Sequence, residues 1–367
     1  MEKQNILNNF TRIPPPIKPF YKRIKKEQLH YSYLIRNLIR PLNNISKGVE
    51  KKASFGLENE NNIFYIIGFP RGEDGLFFLI LCNLSHIGYA LEHGYIPIID
   101  QQNYPNQYLN PELLTKENSW EYYFNQPFKY SLDDIKNSKN IILSRKLQMP
   151  NKKYTIDFYI FEDLRRLYYF RDLFKKIIIP NSKTMEYLIT SYNNIFTGKT
   201  NILGVLCRGT DYIKKKPGGH PIQPQPEDVI KKAKEIIEKY NCKYLYLATE
   251  DQDIFETFKL EFGNKLISNN QRRFKQSDFN NFDYISQALN YTNHENFYLG
   301  LEYLSSIYNL SKCEYFLGGK TAGTIGVYLM SDGFIYDYVW DLGFYPLPSI
   351  FKNILKKIKM LKKNKIL

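Results

Sequence analysis

An α/β protein with two Rossmann-like halves facing a cleft is what this sequence predicts, and two stretches carry the prediction. Asn201–Asp251 begins with a mostly apolar run in which Leu203, Val205 and Cys207 alternate. A Pro/Gly-rich loop, an amphipathic helix and a second apolar run, Tyr244–Ala248, follow. Ile63–Asp100 repeats the order, with a strand at Ile63–Gly68, a Gly-containing loop, an apolar helix at Leu76–His93 and a strand at Ile96–Asp100. A strand–loop–helix–strand unit is a right-handed crossover that joins parallel strands. Polar clusters that end such strands emerge at one sheet edge, the carboxyl edge where open α/β sheets bind ligands.

Taken in order, residues 1–52 read as a basic arm with one helix, Leu29–Leu42. Gly94 suits the position just after the Leu76–His93 helix. Gln101–Lys129, rich in Asn, Tyr and Pro, reads as an irregular excursion, and Asn140–Ser144 as a third strand. Tyr154–Lys176 and Thr184–Phe196 read as helices. In the central unit Pro226 suits the first helical turn, Glu227 and Asp228 suit its positive end, and Val229, Ile230, Ala233 and Ile236 recur at helical spacing. Lys265–Ser268 is a short strand, Asn269–His294 a polar Asn-rich region and Phe297–Leu310 a helix. Cys313–Leu317 is a strand, Gly318–Thr324 opens a helix to Met330, and Phe334–Val339 is the last strand.

At 367 residues the chain can bury a large core and hold two domains. The four cysteines, Cys82, Cys207, Cys242 and Cys313, are far apart and form no CxxC pair, so they read as buried free thiols in a reducing compartment. Residues 1–52 carry twelve Lys/Arg against three acids, and residues 352–367 carry seven lysines and no acid. The net charge of +14 therefore lies in these two segments, and the body between them is about neutral. A nucleic-acid enzyme more often carries its positive charge along the cleft. Basic segments of this kind suit an anionic membrane surface instead. No apolar run approaches the ~20 residues of a membrane span, and no signal peptide is visible, so the expected location is cytoplasmic, with peripheral attachment at the inner face of the membrane.

Three loops of the second half carry the chemistry. Arg208, in Arg208-Gly209-Thr210-Asp211, offers a permanently charged fork of donors suited to a diphosphate. Thr249, Glu250 and Asp251 end the Tyr244–Ala248 strand, and acids there can accept hydrogen bonds from a base or a ribose. Gly318–Thr324, with Lys320, Thr321 and Thr324, presents amides and hydroxyls at a helix start, a natural anion site. In the first half Arg71, Glu73 and Asp74 follow the first strand and Asp100 ends the next, placing them on the acceptor side. The alternative to Arg208–Asp211 as a site is a pair that only fixes its loop. For Glu250/Asp251/Asp253 the alternative to a metal-binding cluster is an acid-enriched helix start, and no metal is assigned.

The second half resembles the α1,6-fucosyltransferases, the mammalian core-fucosylating and rhizobial nodulation enzymes, over about residues 200–330. Their HxRRxD motif is partly matched by Leu206-Cys207-Arg208-Gly209-Thr210-Asp211, with Leu206 at the histidine position and Gly209 at the second arginine. Their His-Pro-Ile recurs as His220-Pro221-Ile222, and their YLATDD strand end as Tyr246-Leu247-Ala248-Thr249-Glu250-Asp251. Their LSxxDF strand and its Ser/Thr loop are echoed by Leu310–Phe316 and Thr321. The resemblance implies a GT-B glycosyltransferase in which Arg208 holds the donor β-phosphate, Asp251 the base and the Thr321 region the phosphates, with a GDP-sugar favoured and no cofactor.

Together these readings divide the chain into a basic arm (1–52), an acceptor-side α/β domain (53–195), a nucleotide-sugar-binding Rossmann-like domain (196–345) and a basic amphipathic C-terminal helix (346–367). The expected reaction moves a sugar such as fucose from a nucleotide donor to a glycan or polysaccharide hydroxyl. Asp74, Glu73, Asp100 and Asp211 are all open as its base, and His220 is a further candidate. Two other readings stay in view. One is a non-catalytic polybasic protein binding membrane or nucleic acid, which does not need Arg208, the acids and the Thr-rich loop at one edge. The other is an enzyme on another nucleotide, disfavoured as a phosphotransferase because Gly318-Gly319-Lys320-Thr321 lacks the first glycine of GxxxxGK[ST].

Overall fold

The computed structural model describes residues 50–69, 74–144, 150, 153–209, 216–275 and 295–346, with only the backbone of Glu295. Nearly all of the basic arm, Arg71 and Glu73, Thr210 and Asp211, and the amphipathic stretch from 347 onward lie outside these residues.

The first sheet has the order β1-β4-β2-β3, from β1 (Lys51–Ala53), β2 (Phe64–Ile67), β3 (Ile96–Ile99) and β4 (Ile141–Leu143). Strands β2, β3 and β4 are parallel, and β1 runs antiparallel on the edge with Lys51 and Lys52 exposed. Sequence reading did not anticipate β1, because a three-residue polar edge strand gives no apolar signal. All four residues of β2 are buried. Helix α1 (Leu76–Glu92) crosses from β2 to β3 and buries residues all round its circumference, from Leu76 and Phe77 to Ala90 and Leu91. Only a helix enclosed by protein tolerates that pattern.

Two further helices follow, α2 (Leu164–Ile177) and α3 (Ser182–Phe196). The helix expected at Tyr154–Lys176 is shorter. Phe158–Glu162 is a 3₁₀ turn, and Asp163 restarts the chain as the cap of α2 by accepting from the Arg166 amide at 3.3 Å. Such a cap satisfies an otherwise orphaned helix-start donor.

The second sheet is wholly parallel, from β5 (Ile202–Leu206), β6 (Tyr244–Ala248), β7 (Leu266–Ile267), β8 (Tyr315–Gly319) and β9 (Tyr336–Trp340). The connecting helices are α4 (Pro226–Tyr240), α5 (Gln252–Phe262), α6 (Glu295–Leu310) and α7 (Ala322–Met330). Its order is β7-β6-β5-β8-β9. From β5 the chain moves outward to β6 and β7, then returns to the other side of β5 for β8 and β9. The reversal makes a topological switch point between β5 and β8, the place where doubly wound sheets bind ligands. Strand β8 ends two residues later than expected. Gly318 and Gly319 pair in register with Leu206, Val339 and Trp340, so the glycines belong to the strand and the helix starts beyond them.

Helix α2 packs on α7, α3 packs on α6, and α1 touches both α6 and α7. One core cluster accordingly runs from Tyr65 and Ile67 of β2, through Phe170 of α2 and Leu304 of α6, to Tyr246 and Phe316 of the second sheet. The opposite face of the second sheet has its own core, where Leu203, Val205 and Leu317 meet Val229 of α4 and Phe258 of α5. The expected pair of α/β halves is what the chain forms, with a shared layer of helices between the two sheets.

Candidate active site

At the carboxyl end of β5, Arg208 is largely buried. Its Nε lies 3.3 Å from Glu250 Oε1 at the end of the neighbouring β6, and each side chain is only 21% exposed. The Gly209 amide also donates to Glu250 Oε1, at 3.4 Å. A carboxylate that takes both the guanidinium edge and the next amide sets the direction of the guanidinium fork.

Asp251 has a different job. It is 6% exposed, and its Oδ1 accepts from the Asp253 and Ile254 amides at 2.9 and 3.0 Å, capping α5. A Cβ on Gly209 would stand 2.4 Å from Asp251 Oδ2, so that carboxylate is wedged beneath the glycine. The base contact implied for Asp251 thus falls on a group already engaged as a helix cap, and Glu250 is the more open acid at this strand end. The cap also explains the acids after β6 without a metal. Thr249 is buried, and its hydroxyl accepts from the Asp251 amide at 3.2 Å. Outside this turn runs a segment read from sequence only as polar. The Phe274 amide donates to Glu250 O at 2.9 Å, the Gln252 amide donates to Phe274 O at 3.0 Å, and Gln271 Nε2 donates to Thr249 O.

At the end of β8, Thr321 caps α7, its hydroxyl accepting from the Thr324 amide at 2.9 Å. Thr324 Oγ1 in turn donates to Gly319 O at 2.5 Å. Both threonines therefore shape the helix start that faces the switch point. Lys320 does not point there as a phosphate ligand. It is 4% exposed, with Nζ 2.7 Å from Asp341 Oδ2 and 3.8 Å from Glu162 Oε1. Burial raises the Glu162 carboxyl above the usual range, and Lys320 opposes that shift.

Residues 216–225, before α4, fold over this end. Buried Gln223, which sequence reading missed, donates to Lys320 O at 3.0 Å. His220 lies in a short ribbon: its carbonyl accepts from the Tyr345 amide at 2.9 Å, and the Ile222 amide donates to Gly343 O at the same distance. The backbone of His220 is thus structural.

In the first unit Asp100 is buried and turned into its own loop. Its Oδ1 accepts from the Gln102 and Asn103 amides at 3.1 and 3.0 Å, and both its oxygens accept from Asn103 Nδ2. Burial raises its carboxyl above the usual range against those hydrogen bonds. It holds a turn. Asp74 lies two residues before α1, and its carbonyl accepts from Gln107 Nε2 at 2.8 Å. The hydroxyl of buried Tyr108 has Tyr303, Arg208 and Asp74 in its electrostatic surroundings. Tyr108 also lies near α6, where a Cβ on Gly300 would stand 3.0 Å from its Cδ1, so the residues before α1 meet the second unit through it.

Among the described residues no group of three or more His, Cys, Asp or Glu side chains is arranged to hold a metal ion, and no helix is long and apolar enough to cross a membrane. All four cysteines are buried thiols outside any disulfide.

No protein-family model matches the sequence, and neither does any curated protein. Solved structures do match in chain course. The structure is similar to fucosyltransferases. Fucosyltransferase NodZ from Bradyrhizobium is 13% identical at a TM-score of 0.43, with 74% of this chain and 94% of that one covered. NodZ α-1,6-fucosyltransferase soaked with GDP-fucose gives 14% and 0.44, with 74% and 93% covered. A mutant of Arabidopsis thaliana FUT1 in complex with GDP gives 10% and 0.45, with 90% and 83% covered. At such identities, and with TM-scores under 0.5, none of these similarities transfers an activity to this chain.

Proposed function

We propose that the chain is a GT-B-type glycosyltransferase that moves a sugar from a nucleoside-diphosphate donor to a hydroxyl of a glycan acceptor. One observation carries this reading: Arg208 after β5 and the capped start of α7 after β8 flank the switch point of the second sheet, while the turn that carries Asp74 of the first unit is held through Gln107 and Tyr108 near Gly300 of α6. A cation and a helix start at a switch point suit a diphosphate. A carboxylate arriving from the other unit suits the second substrate.

In the reaction, the acceptor oxygen attacks the anomeric carbon and the bond from that carbon to the diphosphate oxygen breaks. The electron pair leaves with the diphosphate. Arg208, aimed by Glu250, and the start of α7 stabilise the charge that develops there. The acceptor proton goes to a carboxylate. Of the two candidate carboxylates among the described residues we assign that role to Asp74, because Asp100 is engaged in its own turn; Glu73 and Asp211 lie outside the described residues. Arg208 and helix amides supply the counter-charge, so the proposed transfer is independent of metal. The motif resemblance favours a GDP-sugar, GDP-fucose first, as donor. The basic segments suit attachment to an anionic membrane surface on the cytoplasmic side.

A thermal-shift panel of GDP, UDP, ADP and their sugars tests the donor site, since a ligand that binds only the native state raises its midpoint. GDP and GDP-fucose are expected to give the largest shifts, undiminished by chelator. In Arg208→Ala the shift should shrink and transfer should fail, one charge-assisted contact being worth about 2–3 kcal/mol. Wild-type diphosphate affinity in folded Arg208→Ala protein would end the assignment.

A further inference from the structure

We propose that Tyr108, together with Gln107, is a positioning residue for sugar transfer: the pair pins the Asp74–Leu76 turn of the first unit against α6 of the second. The inference rests on the glycosyltransferase reading above and adds to it residues that carry no motif. Gln107 and Tyr108 sit in the irregular excursion after β3, where polar and aromatic residues without periodicity would ordinarily face solvent, yet they are only 8% and 5% exposed.

Their contacts converge on one turn. Gln107 Nε2 donates to the Asp74 carbonyl at 2.8 Å and to Tyr108 Oη at 3.2 Å. The Leu76 amide donates to Tyr108 Oη at 2.6 Å. Leu76 is the first residue of α1, and the preceding cap position is Gly75, which has no side chain to accept from the helix-start amides. Those amides need a partner from outside the helix. Tyr108 supplies it from 32 residues away. The backbone on both sides of Gly75 is thereby held by two adjacent side chains.

The height of the Tyr108 ring is set in turn by the second unit. Tyr108 meets Tyr123 edge to face, with ring centroids 6.0 Å apart. Tyr123 Oη donates to the Phe297 carbonyl of α6 at 2.9 Å. Gly300, one turn further along α6, leaves the room this needs, because a Cβ there would stand 2.3 Å from Tyr123 Oη and 3.0 Å from Tyr108 Cδ1. A chain of contacts thus runs from α6 through Tyr123 and Tyr108 to the turn that carries Asp74.

Burial raises the Tyr108 phenol far above its ordinary range, with Tyr303 adding to the rise and Arg208 opposing it. The hydroxyl therefore stays protonated at any working pH and takes no proton from the acceptor. Its part is geometric: a general base works only within hydrogen-bond reach of the proton it takes, and a misplacement of about 1 Å can cost on the order of 100-fold in rate.

Tyr108→Phe keeps the ring and removes the acceptor of the Leu76 amide, and Gln107→Leu removes the contact to the Asp74 carbonyl. In both variants kcat for transfer is expected to fall 10- to 100-fold, while donor KM and GDP affinity stay close to wild type and the thermal midpoint drops by only the few degrees that one orphaned buried group costs. A merely structural role would move GDP affinity together with kcat. The proposal is overturned if kcat stays within twofold of wild type, or if GDP affinity falls as much as kcat. If Tyr108→Phe does not fold, the same measurements on Gln107→Leu decide. Wild-type protein that neither binds a nucleoside diphosphate nor transfers sugar would instead overturn the glycosyltransferase reading, and this inference with it.

Discussion

Lys320 shows how a residue can sit at the right address and do other work. It directly follows β8 beside the switch point, where a lysine suggests a phosphate ligand, but its ammonium is buried between Asp341 and Glu162. Glu162 belongs to the turn before α2 and Asp341 to the end of β9, so the lysine joins segments far apart in sequence. Breaking a buried pair by removing one partner costs 3–5 kcal/mol, and exposed pairs are worth ~0–1. Asp341 is 42% and Glu162 50% exposed, which places this case between the two. Lys320→Met is therefore expected to lower stability by about 1–3 kcal/mol in urea titration while GDP affinity in the folded protein stays near wild type. A variant of unchanged stability whose GDP affinity drops tenfold or more would return Lys320 to the diphosphate site. Arg208 differs because its carboxylate partner, Glu250, stands at the same strand edge and aims it instead of drawing it into the interior.

At the scale of the element, the turn after β5 fits the start of α5 like a lid on a cap. Gly209 lies so close to Asp251 that even a methyl group would have to displace the carboxylate from the amides it accepts. Gly209→Ala should therefore destabilise by about 1–3 kcal/mol, from the lost cap and the crowding together. A wild-type urea midpoint in that variant would show that the cap does not depend on the glycine. This contact also explains a departure visible in the sequence: an arginine in place of Gly209 has no room on this side of the turn. The alternation of strands and helices was legible from residues alone, because parallel strands buried on both faces read as unbroken apolar runs and the helix α4 carries its own start signals. The strand order was not legible, since nothing in β8 says that it pairs with β5 on the side away from β6. Arg208 and Glu250 were legible as polar residues ending apolar strands. Gln107, Tyr108 and Gln223 were not, because a buried side chain in an irregular loop has no periodicity to announce it. The end of β8 was misplaced for a related reason. A Gly-Gly pair reads as a loop, yet here both glycines pair within the sheet.

Over the whole molecule, charge and core are distributed differently, and each distribution has a consequence. The net charge of +14 is concentrated in residues 1–52 and 352–367. Binding to anionic vesicles should accordingly fall steeply between 0.1 and about 1 M salt, as the screening length shortens from ~10 to ~3 Å. Deleting residues 352–367 should weaken it at low salt, and attachment that survives high salt would mean that charge is not what holds the protein to lipid. The core is shared. Tyr65 of β2 and Phe316 of β8 belong to one cluster, joined through the helices between the sheets, so neither sheet can lose its inner face without exposing the other. Chains well beyond 150 residues often unfold in steps, unit by unit. Here the continuous core argues for one transition, and the protein carries its own reporters. Of its two tryptophans, Trp120 is buried against Phe124 in the first unit and Trp340 ends β9 in the second. With Trp340→Phe leaving the first reporter and Trp120→Phe the second, tryptophan emission and far-ultraviolet dichroism should trace the same denaturant curve within each variant, the usual test of all-or-none unfolding. A Trp340 transition complete before the dichroism falls would show that the second unit melts alone, and that the helices between the sheets belong energetically to the first.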